Sequence, residues 1–212
     1  MKKNMKKPPS EDRKTGVSRR GFLKGAGATT AGTVLLTNDV LAFKPSESYA
    51  TGQKVGPEGA EITLNINGDQ HMVKVEPRTT LADALRDRVG LTGTKVVCDR
   101  GSCSACTVYL DGKPVNSCIT LALDVGDREI TTIEGIADGE DLHPVQEAFI
   151  DQDASQCGYC TPGMVMSCVH LLKHNDNPTL EDVKHATRGN LCRCGTYPHV
   201  FKATLSAAEK MR

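Results

Sequence analysis

The sequence predicts an α+β chain in three parts: a leader at residues 1–50, a β-grasp domain at 60–136 and a four-helix bundle at 140–212. Three observations predict this order. The first 42 residues hold nine Lys/Arg against three Asp/Glu, a bias typical of a removable targeting segment. Alternating apolar residues and tight-turn pairs then favour strands. Beyond Gly135 the apolar spacing and the capping residues become those of helices.

The leader carries an export pattern. Ser18, Arg19 and Arg20 precede Gly-Phe-Leu-Lys and an uncharged run of small residues. This pattern resembles a twin-arginine signal, which implies export to the periplasm. Cleavage after Ala42 or after Ala50 fits the small-residue rule, and the residues do not choose between them. Since a membrane-spanning helix needs roughly 20 apolar residues, we expect no transmembrane segment.

The β-grasp domain is predicted from two hairpins, one helix and a closing strand. Asn67-Gly68 supplies the first hairpin turn. Thr80 is expected to cap the helix, Gly90 to end it, and the first cysteine loop to follow. The return strand of the second hairpin is expected to carry Cys118. Strands and turns are predicted at 62–66, 67–68, 73–75, 107–110, 111–112, 115–118 and 129–133.

Four helices are predicted in the last third of the chain, and together they suit a small bundle. Proline at the first turn or a threonine cap marks each start. Two cysteine pairs lie in the links before the second and the fourth helix, so the helix N-termini would direct partial positive charge at the site that the cysteines form. The predicted bounds are 144–150, 162–174, 179–186 and 198–210.

The first cysteine set has the spacing C-x4-C-x2-C with a fourth cysteine eleven residues later: Cys98, Cys103, Cys106 and Cys118. This is the spacing of plant-type ferredoxins, and it predicts a [2Fe–2S] cluster held by four thiolates. Gly101 and Ser102 permit the tight turn that the loop needs. Zinc is the alternative, but structural zinc sites favour paired C-x2-4-C knuckles.

The second cysteine set pairs a C-x2-C with a later C-x-C: Cys157, Cys160, Cys192 and Cys194. Alone, the C-x2-C could be a redox dithiol, but the surrounding sequence lacks a βαβ pattern and the C-x-C would stay unexplained. Two paired motifs favour a metal. The ninth cysteine, Cys168, lies in an apolar run of helical length and is predicted to be a buried core thiol. An odd total argues against a disulfide framework.

Composition excludes several classes of function. Aromatic residues make up 4% of the chain and tryptophan is absent, so base stacking and nucleic-acid binding are not expected. The histidines are scattered and structural roles suffice for them. No nucleophilic triad, phosphate-binding loop or carboxylate pair stands out, so no catalytic residue for substrate conversion is predicted on this chain.

From about Glu61 onwards, the chain resembles the iron–sulfur subunits of the xanthine oxidase and aldehyde oxidoreductase family. With its twin-arginine leader, it is most similar to the small subunits of periplasmic aldehyde oxidoreductases. The segments that carry the resemblance are Gly93-Thr94-Lys95, Cys98 to Val108, Thr132-Ile133-Glu134-Gly135, His143-Pro144-Val145-Gln146, Gln156 to Gly163 and Gly189 to Gly195.

The resemblance implies a function in electron transfer. Electrons would come from a molybdopterin cofactor on a large partner subunit, pass through the helical-domain cluster and then the β-grasp cluster, and end on an FAD-binding medium subunit or a cytochrome c. It also implies that Gln156 and Cys194 lie closest to the pterin, with Cys194 both ligating iron and contacting the pterin edge. Aldehydes are the expected substrates, and N-heteroaromatic compounds are the alternative.

Two residues depart from the family pattern beside the first cluster. Val97 and Ser104 both stand where that pattern has glycine. A side chain at either position could constrain the backbone or alter hydrogen bonds to sulfur, so we expect a shifted reduction potential for this cluster. Two rival functions remain at this point: a free-standing ferredoxin-like carrier and a disulfide-linked secreted binding module.

Overall fold

Five strands form one mixed sheet in the part of the chain that the computed structural model describes, namely Ser18, Arg20 and residues 55–212. The rest of the twin-arginine pattern and both candidate cleavage sites lie outside the described residues. The sheet order is β2-β1-β5-β3-β4, and only the β1–β5 pair is parallel. The strands are β1 Ala60–Ile66, β2 Asp69–Val75, β3 Thr107–Leu110, β4 Lys113–Asn116 and β5 Glu129–Thr131.

The first hairpin turns at the predicted pair. Asn67 and Gly68 have φ values of 52° and 89°, as a primed two-residue turn requires. The Asn67 side chain also accepts from the backbone N–H of Thr132 at 2.9 Å and donates to its hydroxyl at 3.0 Å. The hairpin turn is thereby fixed to the end of β5, and β5 stops at Thr131 instead of continuing to 133 as predicted.

The predicted helix after β2 forms, but it is mixed. Helix α1, Leu81–Asp83, begins at Thr80, which makes the capping box with Asp83, as predicted. It continues as a π-helix over Ala84–Val89 and ends at Gly90, whose φ of 88° confirms the predicted stop.

The prediction that Cys118 lies on the return strand of the second hairpin is wrong. Strand β4 ends at Asn116, and Ser117–Ile119 forms a 3₁₀ turn. The backbone N–H and the hydroxyl of Ser117 both donate to the Cys106 carbonyl, at 3.2 and 2.7 Å. Because Ser117 is bound to the cysteine loop in this way, the chain bends inward and brings Cys118 to that loop.

Four longer helices follow: α2 Pro144–Asp151, α3 Thr161–His174, α4 Leu180–Thr187 and α5 Tyr197–Lys210. Their ends lie within one residue of the predicted bounds. With α1, residues 55–212 contain five α-helices: α1 is the helix predicted within the β-grasp domain, four follow it, and the arrangement of these four as a bundle stays a prediction. None of the helices in this part of the chain is long and apolar enough to cross a membrane.

Helix α3 lies between two hydrophobic cores. One core packs the sheet against α1, and the other is shared by α2, α3 and α5. Strand β3 contacts α3, where the buried Tyr109 hydroxyl donates to the Met166 carbonyl. The elements from Val55 to Arg212 belong to one structural unit.

Candidate metal centres

The structure brings the first four cysteines together as two thiol pairs. Cys98 contacts Cys103, and Cys106 contacts Cys118. Cys98 is partly exposed, whereas the other three thiols are buried. Three of these cysteines come from the loop before β3 and the fourth from the 3₁₀ turn after β4, so the β3–β4 hairpin brings the fourth cysteine to the other three.

Backbone N–H groups of the first loop point at its sulfurs. Gly101 N–H donates to Cys118 Sγ and Ser102 N–H to Cys98 Sγ, both at 3.3 Å. Hydrogen bonds from the loop backbone, that of Arg100 first, lower the pKa of Cys98 to about 7. Asp99 and Gly101 adopt left-handed backbone, with φ of 52° and 70°, which turns successive N–H groups inward. Donors that stabilise a thiolate also suit an anionic iron–sulfur cluster.

The second set also forms two pairs, Cys157 with Cys194 and Cys160 with Cys192. Cys160 is the N-cap residue of α3, and Thr196 is the N-cap residue of α5, so both helix N-termini adjoin the set, as predicted.

Thr196 forms hydrogen bonds with Cys192 of this set. The Thr196 hydroxyl lies 3.1 Å from Cys192 Sγ. Burial raises the pKa of Cys192, but the hydrogen bonds from Thr196, together with those from Cys160 and Cys194, outweigh burial and bring that pKa to about 7. In this set the thiolate is favoured at Cys192, whereas burial raises the pKa of Cys160, the N-cap residue of α3, to about 12.

The pairing suits a binuclear cluster better than a single ion. A structural zinc ion needs four ligands converging on one point. A [2Fe–2S] cluster needs two thiolates at each of two irons, which is what two pairs of cysteines supply.

The two cysteine sets are joined by direct contacts. Leu191 N–H, adjacent to Cys192, donates to the carbonyl of Cys103 at 3.1 Å. The start of α3 also lies close to the first loop, and Gly163 permits this, because a Cβ there would lie 2.1 Å from the Ser104 carbonyl oxygen. One hydrogen bond thus links a cysteine of the first set to the neighbour of a cysteine in the second.

The second set is open on one side. Cys157 and Cys194 are exposed, and so is Gln156. Tyr159 and Leu191 flank them with 60% and 56% of their surface exposed. By contrast, Cys168 is fully buried in α3, and its sulfur accepts from the Thr204 hydroxyl at 3.1 Å, which confirms the prediction of a core thiol.

Sequence reasoning missed several supporting residues. His143 caps α2, and Gln146 returns a bond to the His143 N–H at 2.9 Å, which explains the His-Pro-Val-Gln segment. Glu134 accepts a hydrogen bond from the Gly93 N–H at 2.7 Å, so this bond links two of the segments that carry the family resemblance. The capping box had a sequence signal at N3, whereas the contact between Glu134 and Gly93 had none.

Comparison with known proteins accounts for both sites and for the leader. A family model described as "2Fe-2S iron-sulfur cluster binding domain" matches residues 64–131, and one described as "[2Fe-2S] binding domain" matches 132–205. A model of the twin-arginine translocation signal matches 16–35. The aldehyde oxidoreductase iron-sulfur-binding subunit PaoA of Escherichia coli (strain K12) is 38% identical over 92% of this chain and 90% of its own length.

The chain belongs to the iron–sulfur subunits of the xanthine oxidase and aldehyde oxidoreductase family. This iron–sulfur subunit is also similar to the nicotine 6-hydroxylase small subunit of Paenarthrobacter nicotinovorans, at 48% identity over 69% of this chain and 88% of that protein. Among solved structures, quinoline 2-oxidoreductase of Pseudomonas putida 86 matches at 42% identity and a TM-score of 0.69, covering 72% of the subunit and 95% of that chain. The resemblance predicted from the motifs is thereby confirmed.

Proposed function

We propose that this subunit passes electrons from a molybdopterin centre on a large partner subunit to FAD or a cytochrome c on another partner. The observation that carries the proposal is the arrangement of two paired cysteine sets in one structural unit, with the second set open at the surface and bonded to the first through Leu191 and Cys103. A [2Fe–2S] cluster in each set would supply one-electron chemistry.

The eight paired cysteines are the proposed iron ligands. Those of the β-grasp domain, placed at 60–136, are Cys98, Cys103, Cys106 and Cys118. Those of the helical domain, placed at 140–212, are Cys157, Cys160, Cys192 and Cys194. Helices α2 to α5 would form the bundle around the second set, and the core shared by α2, α3 and α5 supports this.

The open face of the helical domain supports a direction for the electrons. Gln156 and Cys194 are the proposed pterin contacts, and both are exposed. Tyr159 and Leu191 give the same face an apolar flank of the kind that a protein partner covers. The helical set would therefore receive electrons, and the β-grasp set would release them.

Aldehydes are the proposed substrates of the whole enzyme. A relative that aligns over 92% of this subunit is the aldehyde oxidoreductase iron-sulfur-binding subunit of Escherichia coli (strain K12). N-heteroaromatic compounds are the second candidate, because relatives named for nicotine, nicotinate and quinoline are 42 to 48% identical. The match to a twin-arginine signal supports a periplasmic location after removal of a leader within residues 1–50.

The proposal is tested by tagging this subunit and producing it together with the products of its neighbouring genes. We expect co-purification of a molybdopterin subunit, a red-brown colour, and two distinct EPR signals after addition of an aldehyde. Reduction of the complex by an N-heteroaromatic compound but not by any aldehyde would show that N-heteroaromatic compounds, and not aldehydes, are the substrates. A red-brown subunit that purifies alone would favour the free-standing carrier, and a colourless protein that reducing agents unfold would favour the disulfide module.

A further inference from the structure

Asn190 stands in the Gly-Asn-Leu-Cys segment but is not itself an iron ligand. Its side chain is 2% exposed and makes hydrogen bonds at both ends. Nδ2 donates to the Ser104 carbonyl at 3.2 Å, and Oδ1 accepts from the Ser167 hydroxyl at 2.8 Å. One amide therefore connects the first cysteine loop with helix α3.

The backbone of Asn190 is fixed as firmly as its side chain. Its N–H donates to the Thr187 carbonyl at 2.9 Å, and its carbonyl accepts from the Tyr197 hydroxyl at 3.2 Å. The same hydroxyl accepts from Cys192 N–H at 2.8 Å. Asn190 thus contacts the end of α4, the start of α5 and the loop that holds Cys192.

The bond that joins the two sets begins one residue further on. Leu191 N–H reaches the Cys103 carbonyl, while the Asn190 side chain holds the next carbonyl of the same loop, that of Ser104. Asn190 and Leu191, adjacent in one loop, thus donate hydrogen bonds to two adjacent carbonyls of the other loop. A buried amide with both ends bonded to named partners has one orientation, and Ser167 sets it.

We infer that Asn190 is a positioning residue that fixes the distance and the hydrogen-bonded contact between the two clusters, and so the rate at which electrons cross between them. The inference rests on the proposed function. The Ser167 hydroxyl orients the Asn190 amide, and the Ser104 carbonyl accepts the hydrogen bond that this amide donates.

The test compares Asn190→Ala and Ser167→Ala with the control Asn177→Ala, which removes an exposed amide from the link between α3 and α4. The variants are studied in the whole complex, reduced until both clusters are paramagnetic. We expect full iron content, because no ligand is lost. The magnetic splitting between the two EPR signals should be lost in Asn190→Ala, reduced in Ser167→Ala and unchanged in the control. Rapid-freeze samples should show delayed reduction of the second cluster in the same order.

Unchanged splitting and unchanged reduction in Asn190→Ala would overturn the inference. If Asn190→Ala fails to retain both clusters, Ser167→Ala decides, since it removes one hydroxyl only, and wild-type behaviour there would overturn the inference. A wild-type complex without two [2Fe–2S] signals would refute the proposed function instead, so the two failures are distinguishable.

Discussion

At the scale of single residues, Ser104, where the family resemblance leads us to expect glycine, has a strained backbone. Its φ is 52°, in the left-handed region that disfavours side chains by roughly 1–2 kcal/mol. Glycine loses more backbone entropy on folding, by roughly 0.5–1 kcal/mol. We therefore expect Ser104→Gly to stabilise the cluster-loaded subunit by about 0.5–1 kcal/mol. The midpoint of thermal unfolding measures this.

Ser102→Gly is the matched control, because Ser102 lies in the same loop without a positive φ. We expect Ser102→Gly to leave the midpoint of thermal unfolding without any increase. Equal stabilisation by both substitutions would show that backbone strain at Ser104 is not the cause. A redox titration of Ser104→Gly also tests the expected shift in the potential of the β-grasp cluster, and an unaltered potential would contradict that expectation. Val97, the other departure, is 57% exposed and has room for its side chain.

The cysteines permit a direct test of ligand assignment. Cys160 and Cys168 lie eight residues apart, at the start and in the middle of α3, but only Cys160 belongs to a thiol pair. Cys160→Ala should remove the helical cluster, about half of the bound iron, and one of the two EPR signals. Cys168→Ala should keep all the iron and lower stability by about 1 kcal/mol, since it deletes a buried sulfur. Iron analysis that ranks the two variants in the opposite order would refute the assignment.

At the scale of elements, the contact between the start of α3 and the first cysteine loop depends on Gly163. A Cβ at this position would meet the Ser104 carbonyl oxygen at 2.1 Å and the Ala105 Cα at 3.1 Å, both backbone atoms. Gly163→Ala should therefore separate the helix from the loop and destabilise the subunit by about 1–3 kcal/mol, as overpacking does. Thermal unfolding and the retention of iron report the effect.

Gly189→Ala is the control for this element. A Cβ at Gly189 would meet only the Ser104 hydroxyl, at 3.2 Å, and a side chain can rotate away. Gly189→Ala should therefore destabilise the subunit clearly less than Gly163→Ala does. If both substitutions cost the same, the close backbone approach at Gly163 is not what limits this position.

Element boundaries were predictable where a local signal decides them. The Thr80 and Thr179 capping boxes and the prolines near the other three helix starts place the starts of five helices to within one residue. The π-helix over Ala84–Val89 and the 3₁₀ turn at Cys118 were not predictable. The 3₁₀ turn depends on the hydrogen bond from Ser117 to the Cys106 carbonyl, eleven residues earlier. The alternation of apolar residues along one strand does not predict such a contact.

At the scale of the whole molecule, the cysteine spacing predicted which thiols come together but not how they divide into pairs. The pairing depends on the fold, since Cys118 joins Cys106 only after β3 and β4 form a hairpin. The contact between Leu191 and Cys103 spans most of the described chain and has no local signal. The sequence therefore predicts two sites, and their connection becomes visible only in the structure.

The junction of the sheet and α3 should make the stability of the subunit depend on pH. His170 packs on Tyr109 at 5.9 Å between ring centroids and on His174 at 4.4 Å, with Lys173 over the Tyr109 ring. Within residues 55–212, His170 Nδ1 is buried without a hydrogen-bond partner. Burial, and then the positive charge of His174 and Lys173, lower the pKa of His170 below its usual 6.5.

A lowered histidine pKa means that the unfolded chain takes up a proton at a higher pH than the folded subunit does. The stability contribution of His170 is therefore complete above the unfolded pKa of 6.5 and is lost as pH falls through that value toward the folded pKa. Thermal midpoints measured between about pH 5.5 and 7.5 should fall on the acid side, and His170→Gln should flatten that fall. The exposed His185, changed to Gln as control, should leave the slope as in the wild type. A slope that His170→Gln does not alter would place the pH dependence elsewhere, with His143 as the next group to test, because burial and Lys173 also lower its pKa.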